Sequence, residues 1–170
     1  MSKKTILKEI IETRKSKYPK DYTTEKISKK VLNKILKSAD FAPNHKLTKP
    51  WRLELFQDDA KMELAVALGK VCILNLDATT SEKKIKNIQE KFEQTNAIVS
   101  ISVNYSGKVP QWEELAATAM AVQNMYLTCN AHNVGCYWST PKEAENLSEF
   151  LKLEDNQMCL GLFYMGKLPK

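Results

Sequence analysis

Glycine and proline are scarce, five and six among 170 residues, which excludes a collagen-like or low-complexity chain. Histidine is scarcer, with two residues, and the four cysteines (Cys72, Cys129, Cys136 and Cys159) form no C-x-x-C pair, so no metal site is expected. No run of 18 apolar residues occurs, which removes a membrane-spanning helix. The start MSKKTILKEI is charged where a signal peptide is apolar, so the expected location is the cytoplasm and the expected cysteines are free, mostly buried thiols. G-x-G-x-x-G, G-K-[ST], H-E-x-x-H and G-x-S-x-G are all missing, and His45 and His132 complete no catalytic triad. Hydrolase and kinase readings lose their usual support.

What is present suits one domain over residues 1–170, a length that buries about 70% of the unfolded chain's surface without disulfide or metal staples. Apolar residues make up 43% and charged residues 27%, as in ordinary globular chains. Lys and Arg number 26 against 20 Asp and Glu, a formal charge of +6. The lysines at 3, 4, 8, 26, 29, 30, 34 and 37 are interleaved with Glu9, Glu12 and Glu25 at helical spacing, as on a solvated helix face, so no nucleic-acid partner is expected.

Periodicity supplies the elements. Ile6, Leu7, Ile10 and Ile11 form a helical stripe over 3–14. Thr23 and Thr24 are read as the N-cap of a second helix through Ala39 that Ala42-Pro43 stops. Trp51 to Phe56 alternates as a strand, Asp58 to Leu68 is helical, and 80–95 is a charged helix covering a surface or a partner. AIVSISV, residues 97–103, is the clearest strand. Residues 112–133 form a long helix, apolar around most of its circumference and expected at the centre of the molecule. A short strand at 136–138, a helix from Pro141 to about Leu151 and a strand from Met158 to Met165 close an α+β layered domain.

His132 ends the long helix, where an imidazolium complements the dipole. His45 lies in a loop, Asn44 to Lys49, that packs hydrogen-bonding side chains between Pro43 and Pro50, either as a rigid polar turn or as part of a site. Together with this loop (APNHKLTKPWR), Arg14-Lys15-Ser16, the Gln123-Asn124 helix, Gly135-Cys136-Tyr137-Trp138-Ser139-Thr140 and the closing GLFYMGK resemble, in order and spacing, the FMN-dependent nitroreductase superfamily over residues 9–167. The loop form is similar to that of the small single-domain members.

The resemblance implies a nitroreductase-like layered fold, with a mostly antiparallel central sheet flanked by helices, and a homodimer with FMN at the subunit interface. Arg14, Lys15 and Ser16 match the phosphate-holding segment and Lys167 the terminal basic position. A phosphate dianion needs about two cations plus hydroxyl or amide donors, which these supply; the alternative is a basic helix end favoured by the dipole alone. His45, Lys46 and Lys49 match loop positions that reach the flavin from the neighbouring subunit. Trp138, Ser139 and Thr140 match the segment running past the ring, with Trp138 equally readable as core. Lys49 replaces the usual Gln, and its charge would raise the flavin potential or point to solvent.

The implied activity is an FMN-dependent oxidoreductase that takes hydride from NADH or NADPH and reduces a nitroaromatic, quinone or similar flat small molecule by a ping-pong mechanism. Proton-donor candidates are His45 and Lys46. Acceptor contacts are expected in 70–95 and 104–113, with Tyr105, Trp112 and Phe92 as stacking candidates. The rival reading is a flavin-free binding module on the same fold, or a small basic nucleic-acid binder.

Overall fold

The computed structural model describes residues 1–74 and 76–169. Asn75 and Lys170, which fall inside the expected acceptor segment 70–95 and the 1–170 domain span, lie outside the described residues.

Helix α1, Lys3–Thr13, starts at Ser2, whose hydroxyl accepts the Thr5 N–H at 3.2 Å. None of its residues is buried, and it is tied to the rest mainly by Asn130, whose side-chain amide donates to the Ile10 carbonyl and the Thr13 hydroxyl, each at 2.9 Å. The chain then runs extended. Lys17 N–H donates to the Cys136 carbonyl at 3.0 Å and Thr23 N–H to the Lys167 carbonyl at 2.8 Å.

These bonds correct the expected start of the second helix. Residues 23–28 are drawn out by tertiary partners, including an Ile27 N–H bond to Asn96 Oδ1 at 2.7 Å. Helix α2 therefore runs Lys29–Ser38, with Ser28 and not Thr23 or Thr24 as its cap.

β1 (Trp51–Phe56), β2 (Ala97–Asn104), β3 (Val134–Ser139) and β4 (Gln157–Lys167) form one antiparallel sheet in the order β1-β2-β4-β3. One face packs on α2 and on α5 (Gln111–Ala131) through Trp51, Val99, Ile101, Ala121, Met125 and Phe163. The other packs on α3 (Asp58–Ile73) and α4 (Ala78–Gln94) through Phe56, Ile98, Leu64, Phe92, Leu162 and Tyr164. β2 is thus covered on both sides, and even Ser100 and Ser102 are buried.

Three glycines shape the β3–β4 pair. Gly135 and Gly166 face each other across the ladder, and the Tyr22 ring lies against both, so that a Cβ on Gly166 would fall 2.2 Å from that ring. Gly161, at φ +129°, sits beside a register shift that leaves Leu160 unpaired with β2, and a Cβ there would meet the Ser139 carbonyl at 2.2 Å.

Two further expectations change. Residues 142–147 form a 3-10 helix, Lys142–Leu147, not an α-helix reaching Leu151. Its two buried residues, Ala144 and Leu147, are three apart, the spacing a 3-10 turn eclipses on one side. α5 buries one stripe (Glu114, Ala117, Thr118, Ala121, Val122, Met125 and Cys129) and leaves Trp112, Leu115 and Met120 exposed, so within one chain it is not covered all round. None of the described helices is long and apolar enough to cross a membrane.

Candidate functional site

Helix α1 stops because Arg14 adopts an extended backbone, which carries Arg14, Lys15 and Ser16 alongside the free edge of β3. The Arg14 guanidinium lies 5.3 Å from the centre of the Tyr126 ring, a cation–π contact. Tyr126 Oη accepts the Trp138 N–H at 2.6 Å and has the Ser16 side chain as a further partner. Burial raises the phenol above its ordinary value, against the lowering effect of these two hydrogen bonds, so it stays a neutral hub. Arg14, Ser16 and Trp138 are thereby brought together, and Lys15 is exposed beside them. Lys167 stands apart: it is opposite Val134, four residues and about 13 Å along β3 from Trp138. Its ammonium faces Glu25 at 3.8 Å.

Alternation along β3 splits the expected ring segment. Trp138 points to the α5 side, where it packs against the core and its buried Nε1 has no acceptor among the described residues. Tyr137 and Ser139 point to the α4 side. Tyr137 stacks on Tyr164 with ring centres 4.8 Å apart and planes 15° apart, and the Tyr18 ring is centred 5.0 Å from it at a tilt of 50°. Burial pushes the Tyr137 phenol up to about 12, opposed by a Ser139 hydrogen bond.

Tyr137 and Ser139 form the shared floor of a two-lobed cleft under α4. The first lobe, about 420 Å³, is walled by Lys83, Lys84, Asn87 and Lys91 and closed by Pro141. The second, also about 420 Å³, shares Asn87 and Lys91 and opens toward Tyr18, Pro19 and Lys20. Each lobe is in the range of small-molecule sites. Lys84 is tied to Glu143 at 2.7 Å, and this bond raises the lysine and lowers the carboxyl.

The sequence places acceptor contacts within 70–95 and a charged cover over 80–95, without singling out the lysines and Asn87 of this wall. The signal was there: Thr80, Lys83, Lys84, Asn87 and Lys91 fall on one helical face. Phe92, in contrast, is no stacking candidate. It is fully buried, edge-on to Tyr164 at 5.5 Å, because it anchors α4 to the sheet.

The loop between Pro43 and Pro50 docks at the other end of α5. His45 Nδ1 lies 2.6 Å from Glu113 Oε2, Lys46 Nζ donates to the Lys108 carbonyl at 3.0 Å, and Asn44 Oδ1 accepts the Lys49 N–H at 2.9 Å. Lys46, Leu47 and Lys49 all have positive φ, a strained run that these bonds hold in place. From Glu113 to Tyr126 is thirteen residues of helix, about 20 Å, so one chain does not bring His45, Lys46 and Lys49 beside Arg14 and Ser16. Around the loop, Phe41, Leu47 and Trp112 are 83%, 80% and 68% exposed. Tyr105 is half-buried in the β2–α5 connection, its phenol raised by burial and then by Glu114.

Comparison with known proteins is consistent across sequence and structure. A protein of Bacillus subtilis (strain 168), YfhC, named as an NAD(P)H nitroreductase, is 24% identical over 179 aligned positions, covering 95% of this chain and 84% of that protein. A nitroreductase-like family protein of Bacillus cereus superposes with a TM-score of 0.87 at 25% identity, over 100% of this chain and 89% of that one. The FMN-dependent nitroreductase NfnB of Mycobacterium smegmatis, solved with NADPH, shares the fold at a TM-score of 0.76 and 13% identity, over 98% of this chain and 89% of its own. The sequence profile of the nitroreductase family matches residues 11–167, and the chain belongs to that family.

Proposed function

We propose that this chain is an FMN-dependent NAD(P)H oxidoreductase, active as a homodimer, that reduces nitroaromatic, quinone or similar flat acceptors by a ping-pong mechanism. The observation that carries this reading is the edge segment Arg14 to Ser16, gathered with Trp138 around the Tyr126 hydroxyl and ring at the end of β3.

The donor set fits FMN. Arg14 offers a planar fork, Lys15 a point charge and Ser16 a hydroxyl, which together satisfy a phosphate dianion. Trp138, Ser139 and Thr140 would run past the ring at the adjoining end of β3. The unpartnered Trp138 Nε1 marks the same strand as holding a donor in excess of the protein's own acceptors. Lys167 would add long-range positive charge, partly neutralised by Glu25. Bound FMN supplies a ring that accepts a hydride and passes electrons onward.

The chain's residues do the rest. His45, Lys46 and Lys49, about 20 Å from Arg14 within one chain, serve the site of a second copy. There Lys49 would favour negative charge at the ring edge, and His45 or Lys46 would supply a proton to the acceptor. Glu113 orients His45. With no G-x-G-x-x-G element in the sequence, donor and acceptor use one cleft in turn.

The test is steady-state kinetics on FMN-loaded protein with NADH or NADPH and menadione or a nitrofuran. Parallel double-reciprocal lines and turnover that depends on the acceptor are expected. Protein that takes up no FMN overturns the reading in favour of a flavin-free module, and protein that takes it up but oxidises neither nucleotide overturns the proposed activity.

A further inference from the structure

Helix α4 segregates its charge. Lys83, Lys84 and Lys91 line the cleft, whereas Glu82 and Glu93 do not. Lys84 is neutralised by Glu143, and Glu90, the one carboxylate among the lining residues, lies 3.9 Å from Lys86. In the second lobe this leaves Lys20 and Lys91 without a carboxylate partner among the described residues. Lys91 alone could be a helix-end cation favoured by the dipole, but Lys20 comes from a different element, the 3-10 turn Pro19–Asp21. Beside the two lysines stands Tyr18, 49% exposed, with the amides of Asn87 and Gln94 lining the same lobe. Two cations, an exposed aromatic ring and two amides are the recognition set of a phosphorylated nucleoside.

The flavin phosphate does not account for these groups. Arg14, which would hold it, rests on Tyr126 on the α5 side of β3, whereas the second lobe opens on the α4 side. Resting on the function proposed above, we propose that Lys20 and Lys91 bind the 2′-phosphate of NADPH, with Tyr18 stacking its adenine, so that this chain uses NADPH in preference to NADH. NADH lacks only that phosphate, so discrimination requires cations with no carboxylate partner of their own, and the second lobe is lined by two of them from different elements, with Glu90 drawn to Lys86. Its floor, Tyr137 and Ser139, is continuous with the first lobe, which leaves room for the nicotinamide end beside the ring segment.

The test separates binding from turnover. 2′,5′-ADP and 5′-AMP are titrated calorimetrically at low ionic strength against wild type, the double variant Lys20→Ala/Lys91→Ala, and Tyr18→Ala. In parallel, kcat/KM is measured for NADPH and NADH with a neutral acceptor, and for 4-nitrobenzoate against 4-nitrobenzamide. Wild type should bind 2′,5′-ADP about tenfold more tightly than 5′-AMP and show a similar preference for NADPH. The double variant should lose both preferences, each read as a ratio within that one protein. Tyr18→Ala should weaken the two fragments alike. Equal binding of the two fragments by wild type, or preferences that survive in the double variant, overturn the proposal. So does a loss confined to the nitrobenzoate-to-nitrobenzamide ratio, which would assign the lysines to an anionic acceptor. If neither nucleotide is oxidised the proposed function fails, and the fragment titration still decides this inference.

Discussion

Arg14 is the residue on which most of the proposed cofactor affinity depends, because it is always charged and can meet two phosphate oxygens at once. Losing a charge-assisted contact of about 2 kcal/mol should weaken FMN roughly 30-fold in Arg14→Ala. Riboflavin, which lacks the phosphate, should bind the two proteins alike; equal weakening of both ligands in a fluorescence titration would show that residues 14–16 do not hold the phosphate. Gly166 tests the frame. Its substitution by Ala forces the Tyr22 ring, whose hydroxyl donates to the Lys17 carbonyl at 2.7 Å, off the sheet. Overpacking of this kind costs about 1–3 kcal/mol, read as a fall in melting temperature, and an unchanged Tm would mean that the contact yields freely. At this scale the sequence showed residue types but not facing. Trp138 and Ser139 are adjacent in the chain and end on opposite sides of the sheet.

Elements were legible where one period repeats, as in α1, β1, β2 and the core of α5. They were misread where tertiary bonds outweigh local pattern. Thr23 and Thr24 resemble a cap, yet their segment is held extended by Lys167 and Asn96, and Ser28 takes the role. Residues 142–147 resemble an α-helix because Pro141 opens them, yet two buried residues at a spacing of three suit a 3-10 turn. The 43–50 loop was legible as special from its residue types, and the strain at Lys46, Leu47 and Lys49 could not be read from them. Replacing His45 by Ala removes the bond to Glu113. The expected result is weaker FMN binding or a shifted flavin spectrum with unaltered circular dichroism; an unaltered flavin spectrum and affinity would leave the loop a purely structural turn.

At the scale of the whole molecule, pH dependence follows from its buried acids. Burial raises the phenols of Tyr22, Tyr137 and Tyr164 and the thiols of Cys72, Cys129 and Cys159. Their folded forms hold protons more tightly than the unfolded chain does. The stability they contribute is therefore full below about pH 8, above which unfolded thiols and then phenols ionise, and is lost as pH rises towards the Tyr137 value of about 12. From these groups melting temperature should be flat from about pH 7 to 8 and fall above it; a rise over about pH 9–11 would contradict these burials. The exposed apolar residues of α1 and of the α5 face predict a homodimer, so sedimentation at micromolar concentration should show twice 19.4 kDa, and a species of 19.4 kDa alone would refute it.

The claim that joins these scales is that each FMN site is assembled from Arg14 to Ser16 of one chain and the 43–50 loop of the other. It is tested most directly by an FMN titration of a purified heterodimer, in which one chain carries Arg14→Ala and the other His45→Ala. A site shared across the interface leaves one site with both wild-type residues, so the heterodimer should bind one FMN per dimer with wild-type affinity although each variant homodimer binds weakly. If both sites of the heterodimer are weak, Arg14 and His45 do not meet across the interface and the account is wrong.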